Sequence, residues 1–181
     1  MPMSKAGTHR VAKMAMMTAI AVVFSFIPSF PILPSADFIR YEFSDLPILI
    51  SVFAFGTPAG LAVAAVSILI NALLGGAESA VYGMIMHFLA IGAYSAAAGL
   101  IYRSDKSRKG AIIGLVAGIL AMTVIMIPAN LFVTPAFMGA PVSVIKGMLI
   151  PAIIPINLIK GAITAVLTLI LYKRVSGFLH K

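Results

Sequence analysis

The chain has 181 residues, of which 61% are hydrophobic and 10% are charged, and its formal net charge is +8. Soluble domains carry about 25% charged residues. One small core cannot enclose so much apolar surface, so the composition excludes a soluble protein and indicates an integral membrane protein. Because cysteine is absent, disulfides, thiol catalysis and cysteine metal sites are excluded as well.

The positions of the basic residues predict the topology of the chain in the membrane. Ten of the thirteen basic residues lie in three clusters that flank apolar segments, at 5–13, 103–109 and 173–181. The positive-inside rule puts all three clusters on the cytoplasmic side. Four of the five acids then fall in outer segments: Asp37, Glu42, Asp45 and Glu78. This arrangement predicts contact with a lipid membrane and argues against nucleic acid as a partner.

Six apolar segments can be separated along the chain, and at about 20 residues per span they leave no room for a soluble catalytic domain. The predicted helices are 11–27, 46–56, 58–74, 80–102, 110–133 and 148–172. We therefore expect an all-α integral membrane protein, a six-helix bundle forming one transmembrane domain over 1–181, with both termini cytoplasmic. We expect that the first helix is not cleaved off as a signal peptide, since prolines occupy the place of the cleavage site.

The breaks between these helices carry proline and glycine. Segment 28–45 is rich in proline and aromatic residues, and we expect it to be a non-helical lid over the outer end of the bundle. Pro58 suits the first turn of helix three. Pro128 is expected to kink helix five, and segment 134–147 to be a non-helical outer connection.

Lys160 lies well inside the apolar stretch 148–171, where a lysine costs about 2.5–3.5 kcal/mol on insertion scales. Asn157 is three residues earlier, on the same helical face. Asn71, His87 and Asn130 lie near the outer ends of helices three, four and five. Because costly polar groups avoid lipid, we expect all five to face one ligand cavity that opens outward, beneath the lid.

Each of these residues also has a structural interpretation. Asn71 could join helices through its amide, Asn130 could satisfy backbone freed by Pro128, and His87 could be a core histidine. Thr164 continues the stripe of Lys160 and can bond its own backbone. We keep Thr164, together with Tyr41 of the lid, among the candidate binding residues.

The chemistry of this set favours binding over catalysis. His87 has no ligand partners at metal-site spacing, so no metal site is expected. Acids are absent from the predicted helix interiors, which argues against a proton-coupled pump and leaves Lys160 as a hydrogen-bond donor to a bound molecule. The walls are apolar, so the cavity suits a small aromatic molecule with polar edges.

Small residues form stripes along helix five and helix one, and we interpret the two stripes differently. Gly110, Gly114 and Gly118 allow close packing of helix five within the chain. On helix one the stripe is Ala12, Ala15 and Ala19, beside several methionines, and we expect it to contact a partner protein.

Five stretches, by their order and spacing, resemble the substrate-binding S-components of energy-coupling factor (ECF) vitamin transporters, and among them the riboflavin-specific members. They are 30–34 (FPILP), 38–47 (FIRYEFSDLP), 86–90 (MHFLA), 127–135 (IPANLFVTP) and 151–161 (PAIIPINLIKG). The family commonly has asparagine where this chain has His87.

The resemblance implies a prokaryotic plasma-membrane protein that captures riboflavin as transported ligand, without a cofactor. It implies assembly with a transmembrane coupling subunit and two cytoplasmic ATP-binding subunits. Ala15 and Ala19 would meet the coupling subunit, and Asn130, Asn157 and Lys160 would line the flavin site. The chain itself has no phosphate-binding loop, so ATP hydrolysis requires the partners.

Other functions remain open at this point. An S-component for another small vitamin, such as pantothenate, would pair a carboxylate with Lys160. A small-molecule transporter outside the ECF class is a weaker alternative. An intramembrane enzyme would need a catalytic constellation, and a channel would need polar residues along its whole length; the chain offers neither.

Overall fold

A computed structural model describes residues 5–32, 39–75 and 80–179, which are mostly helical. The helices are α1 (Lys5–Ser25), α2 (Asp45–Phe55), α3 (Thr57–Leu73), α4 (Ala80–Ser104), α5 (Arg108–Met138), α6 (Val142–Met148) and α7 (Ile154–Leu179). Between α1 and α2, the short strands β1 (Phe30–Pro31) and β2 (Arg40–Tyr41) pair antiparallel, with Phe30 opposite Tyr41.

The junction between α2 and α3 shows how local sequence sets the helix boundaries. Gly56 adopts a positive φ of 92°, a conformation that favours glycine, and its N–H donates to Val52 O at 2.9 Å. Pro58 then lies in the first turn of α3, as the sequence predicted. α2 and α3 therefore follow each other with a sharp turn and no loop.

The expected non-helical connection at 134–147 is corrected by the structure. α5 continues through Pro128 and Pro135 to Met138, and α6 begins at Val142. Proline is tolerated in such helices because side chains and packing compensate for the lost hydrogen bond.

A single turn of π-helix, Leu149–Ile153, joins α6 to α7 and contains Pro151. π-turns insert a residue into the helical ladder and often occur at functional sites. At the end of this turn, Asn157 Nδ2 donates to Ile153 O at 2.8 Å. The turn thus leads directly into the part of α7 that carries the predicted polar residues.

Close packing of α4 on α5 explains the glycine stripe. A Cβ atom at Gly114 would lie 2.8 Å from Ala98 O, and one at Gly118 would overlap the ring of Tyr94. Tyr94 is 1% exposed, and its hydroxyl donates to Gly161 O of α7 at 3.0 Å. The glycines therefore serve packing within the chain, and Tyr94 joins three helices.

Within the described residues, three helical segments are long and apolar enough to cross a bilayer: Val81–Ser104, Arg108–Met138 and Val142–Tyr172. α2 and α3 are apolar but shorter. By length and composition, these segments provide the framework of a protein that crosses the membrane several times.

Candidate functional site

A cavity of about 170 Å³ lies among the helices and the β1–β2 segment. Its wall includes all five polar residues that the sequence predicts to face one cavity: Asn71, His87, Asn130, Asn157 and Lys160. The apolar part of the wall includes Ile68, Met84, Met86, Met126, Val133 and Phe137. The cavity therefore combines apolar walls with a few polar groups, as the binding sites of small molecules do.

Lys160 is paired within the chain. Its ammonium Nζ lies 3.5 Å from Asp45 Oδ2, and the two side chains are only 9% and 4% exposed. Asp45 is the first residue of α2, where a carboxylate is also favoured by the helix dipole. A buried ammonium needs such a partner, since an isolated buried charge is costly.

His87 connects this pair to a second carboxylate. Its Nε2 lies 2.7 Å from Asp45 Oδ1, and its Nδ1 lies 2.9 Å from Glu42 Oε2. The contact with Glu42 is close without being aligned as a hydrogen bond. Because both ring nitrogens face carboxylates, the geometry favours the imidazolium form, in which both are donors.

The four side chains form a continuous charged cluster in the order Glu42, His87, Asp45, Lys160. It ties the segment before α2 to α4 and α7. With imidazolium and ammonium opposite two carboxylates, the cluster is electrically balanced. Lys160 therefore makes the cavity less attractive to an anion than an unpaired lysine would.

Asn130 and Asn157 are held in fixed orientations by their own helices. They are 0% and 2% exposed, and each Nδ2 donates to the carbonyl four residues earlier, on Met126 and Ile153. Thr134 Oγ1 also donates to Asn130 Oδ1 at 2.9 Å. Fixed amides of this kind can recognise a ligand without losing much side-chain entropy.

Tyr41 and Thr164, the two other candidate binding residues, lie behind the cavity wall. Thr164 Oγ1 is 2.9 Å from Lys160 O and 3.4 Å from the Tyr41 hydroxyl, and both residues are buried. Tyr41 also packs edge-on against Phe43, with ring centroids 5.1 Å apart. The structure places this pair as support for α7 near Lys160, while a direct role in binding stays a prediction.

The predicted lid is partly described. Arg40 Nε donates to Ser29 Oγ at 2.9 Å and its Nη2 to Ser29 O at 2.6 Å, which ties the two ends of the β1–β2 segment together. Ser29, Ile39, Arg40 and Glu42 all line the cavity. The middle of the predicted lid, 33–38, lies outside the described residues.

Sequence reasoning missed the two acids of the site. The predicted second helix begins at residue 46, so the sequence assigns Asp45 to the outer segment before it, whereas α2 begins at Asp45. An available signal was the need of a buried lysine for a counter-ion, together with an acid at the start of an apolar helix. Among the described residues, no group of three or more histidine, aspartate or glutamate side chains is arranged to hold a metal ion.

The alanine stripe of α1 lies on the outside of the chain. Ala12, Ala15 and Ala19 are exposed, whereas Met17 and Ala21 of the same helix are buried at 3% and 0% exposure. α1 therefore uses one face for internal packing, and among the described residues its small-residue face stays exposed.

Comparison with known proteins adds to this geometry. The sequence profile described as "ECF transporter, substrate-specific component" matches residues 9–172. The riboflavin transporter RibU of Staphylococcus aureus (strain TCH60) is 33% identical over 178 residues, which is 95% of this chain and 93% of the relative. The riboflavin transporter FmnP of Bacillus subtilis (strain 168) is 30% identical, over 91% of this chain and 90% of the relative.

Solved structures agree with the sequence relatives. The S component of a bacterial ECF transporter superposes with a TM-score of 0.81 at 34% identity, covering 95% of this chain and 98% of that chain. An S-component for biotin superposes with a TM-score of 0.63 at 18% identity, covering 95% of each chain, and shows the shared fold alone.

These findings confirm the resemblance drawn from the sequence. Together with the long apolar helices, they identify a multi-pass protein of the bacterial plasma membrane and a substrate-binding subunit rather than an enzyme. The chain belongs to the family of substrate-specific components of ECF transporters.

Proposed function

We propose that this chain binds riboflavin in the described cavity and delivers it for uptake as the substrate-capture subunit of an ECF transporter. The proposal is supported by relatives named as riboflavin transporters over nearly the whole chain. The structural observation that carries it is a cavity with apolar walls, fixed amides and a lysine that is already paired.

This cavity suits the chemistry of riboflavin. The isoalloxazine ring is flat, aromatic and uncharged, with carbonyl oxygens along one edge, and it carries a ribityl chain with hydroxyl groups. The methionines and Phe137 of the wall provide polarizable surfaces for the ring. Lys160 has three N–H donors and directs one toward Asp45, so others are left for ligand carbonyls.

The balanced charge argues against the alternative of a carboxylate-bearing vitamin such as pantothenate. An anion would have to compete with Asp45 for Lys160 and with Glu42 for His87, and it would lie close to both carboxylates. Like charges in a site of low dielectric constant are unfavourable. An uncharged cargo meets no such competition.

The same proposal includes the orientation and the partners. We infer a bundle of six membrane helices with both termini cytoplasmic and the cavity opening outward, since the basic clusters flank the apolar segments. The exposed stripe Ala12, Ala15 and Ala19 would contact the transmembrane coupling subunit. Two cytoplasmic ATP-binding subunits would supply the energy, because the sequence has no phosphate-binding loop.

Binding by the purified protein tests the cargo. In detergent, the protein is expected to co-purify with a yellow flavin or to quench riboflavin fluorescence on titration, and pantothenate should not compete. Lys160→Met should weaken riboflavin binding about tenfold or more, as expected when a charged hydrogen-bond donor is lost. Lys146→Met is the matched control, since Lys146 is exposed on α6. A colourless protein that shows no riboflavin binding by calorimetry would refute the cargo.

A further inference from the structure

The connection between α4 and α5 carries a cluster of basic side chains far from the polar residues of the cavity wall in sequence. Arg103 lies in the last turn of α4, Lys106 follows it, and Arg108 and Lys109 begin α5. All four side chains are exposed. We call these four residues the basic turn, since only residues 105–107 separate the two helices.

Little negative charge offsets the basic turn. Asp105 is the only acid after position 78 of the sequence. Its Oδ1 already accepts a hydrogen bond from Ser107 N at 2.9 Å. Within the part of the chain that the structure describes, Arg103, Lys106 and Arg108 form no ion pair. The basic turn therefore carries an excess of positive charge that a partner from outside the chain can neutralise.

The N-terminus of α5 adds to this excess. A helix N-terminus carries partial positive charge, so acids stabilise its first turn and bases destabilise it. The first turn of α5 contains no acid and begins with Arg108 and Lys109. Its cap is the neutral hydroxyl of Ser107, which accepts a hydrogen bond from Gly110 N at 3.1 Å. A bound anion would therefore meet both basic side chains and the positive end of the helix.

Exposed apolar side chains lie one helical turn from the two arginines. Leu100 precedes Arg103 by three residues and Ile112 follows Arg108 by four, so each pair shares one helix face. Leu100 is 59% exposed and Ile112 is 42% exposed. Both lie on helices that are long and apolar enough to cross a bilayer. Each arginine therefore adjoins a surface that suits a lipid acyl chain.

Contacts with α2 place the basic turn at the same end of the bundle as the N-terminal basic cluster. Tyr102, next to Arg103, packs edge-on against Phe53 with ring centroids 4.7 Å apart. Two residues after Phe53, the carbonyl oxygen of Phe55 accepts a hydrogen bond from Arg10 Nη2 at 2.6 Å. Tyrosine and basic residues together are typical of the level at which a membrane helix meets the lipid headgroups.

We propose that the basic turn binds the phosphate group of an anionic phospholipid, whose acyl chains lie along Leu100 and Ile112. Arginine suits this role because a guanidinium donates two parallel hydrogen bonds to a phosphate. The exposed apolar side chains beside the arginines favour a lipid over a soluble acidic protein, which would contact only the charged part. This site does not depend on riboflavin as the cargo.

Lipid titration of the purified protein in neutral detergent tests the site. Phosphatidylglycerol, which is anionic, and phosphatidylcholine, which is zwitterionic, are added separately, and native mass spectrometry gives the affinity for each. Phosphatidylglycerol should bind about tenfold more tightly or better. Arg108→Glu should weaken its binding about tenfold or more, since a negative charge replaces a positive one. Asp105→Asn should strengthen its binding about fivefold, because the acid of the turn is removed.

Arg108→Glu also separates lipid binding from folding. An acid in the first turn of α5 is favoured by the helix dipole, so the melting temperature without lipid should not fall. Lys146→Glu is the matched control, since Lys146 is an exposed base of α6 and the sequence has no other base between positions 110 and 159. It should change phosphatidylglycerol affinity by less than about twofold. Equal affinity for the two lipids, or equal losses from Arg108→Glu and Lys146→Glu, would overturn the site.

Other occupants of the basic turn give different results. Millimolar inorganic phosphate should not displace phosphatidylglycerol, and displacement would indicate a site for a free anion instead of a lipid. Unchanged lipid affinity in Arg108→Glu, with loss of co-purified ATP-binding subunits, would make the basic turn a protein-binding surface and the lipid proposal wrong. Riboflavin affinity should be the same in Arg108→Glu as in the unmodified protein, so failure of the lipid site leaves the proposed function intact.

Discussion

The ammonium group of Lys160 on α7 lies 3.5 Å from a carboxylate oxygen of Asp45, the first residue of α2. Both side chains are almost fully buried, so each charge depends on the other for compensation. Removing one partner of a buried pair leaves the other charge uncompensated, which costs far more than the pair contributes. The stability of the cavity wall therefore depends on keeping both charges or neither.

Asp45→Asn is expected to lower the free energy of unfolding by about 3–5 kcal/mol, because Lys160 is left as an unpaired buried charge. Adding Lys160→Met to the same protein should restore part of this loss, since the double variant buries no unpaired charge. Thermal unfolding in detergent measures both effects. Losses that simply add in the double variant would show that the two residues do not interact.

His87 is expected to be essential as a donor rather than as a space-filling ring. His87→Leu leaves Glu42 and Asp45 as neighbouring carboxylates without the group between them, so unfolding temperature and riboflavin affinity should both fall. His87→Asn keeps N–H donors and should retain more of both. His9→Leu, on the exposed surface of α1, is the control and should change neither. Equal damage from leucine and asparagine at position 87 would contradict this role.

The sequence predicts the cavity residues well, because a helix fixes the depth of each side chain. Asn130, Asn157 and Lys160 could be brought to one level by counting residues along apolar segments. Because polar side chains are costly in contact with lipid, these residues are predicted to face a common cavity. The binding role of these residues stays a prediction that the affinities above will test.

The partner of Lys160 could not be predicted in the same way. Asp45 comes directly after residues that are not helical. Counting residues predicts the position of a side chain along a helix, but it does not predict where a non-helical segment runs. The helical conformation of 134–138 was missed for a different reason. Proline is a local signal, whereas the packing against neighbouring helices that lets α5 continue through Pro128 and Pro135 to Met138 is tertiary.

Gly118 is expected to tolerate no side chain, because a Cβ atom there would overlap the ring of Tyr94. Gly118→Ala should destabilise the protein by about 1–3 kcal/mol, the usual range for overpacking. Gly147→Ala is the matched control, since a Cβ at Gly147 meets nothing within 4 Å. Thermal unfolding of the two variants gives the comparison, and equal melting temperatures would show that the α4–α5 contact yields without cost.

Tyr41 and Thr164 are expected to matter less for binding than the residues of the cavity wall. Tyr41→Phe removes only the hydroxyl contact with Thr164, which is 3.4 Å long, so riboflavin affinity should change by less than about threefold. Asn157→Leu removes an amide of the wall and should weaken binding about tenfold or more. Fluorescence titration compares them. A larger loss from Tyr41→Phe would place the tyrosine hydroxyl in contact with the ligand.

The alanine stripe of α1 is expected to act in transport and not in binding. Ala15 and Ala19 are exposed in the part of the chain that the structure describes, whereas Met17 and Ala21 of the same helix are buried. Small residues let two membrane helices approach closely, so a bulky side chain there should keep a partner helix away. Ala15→Trp and Ala19→Trp should therefore abolish riboflavin uptake by cells while the purified variants bind riboflavin normally.

Val124→Trp provides the control for this last comparison. Val124 is 63% exposed on α5, so a tryptophan there adds the same bulk to another exposed helix face. Uptake should survive in this variant, because its face is not the proposed contact with the coupling subunit. If Ala15→Trp lowered binding in proportion to uptake, the stripe would belong to the fold of the cavity. If Val124→Trp abolished uptake equally, bulk on any exposed face would be the cause, and the partner contact could not be assigned to α1.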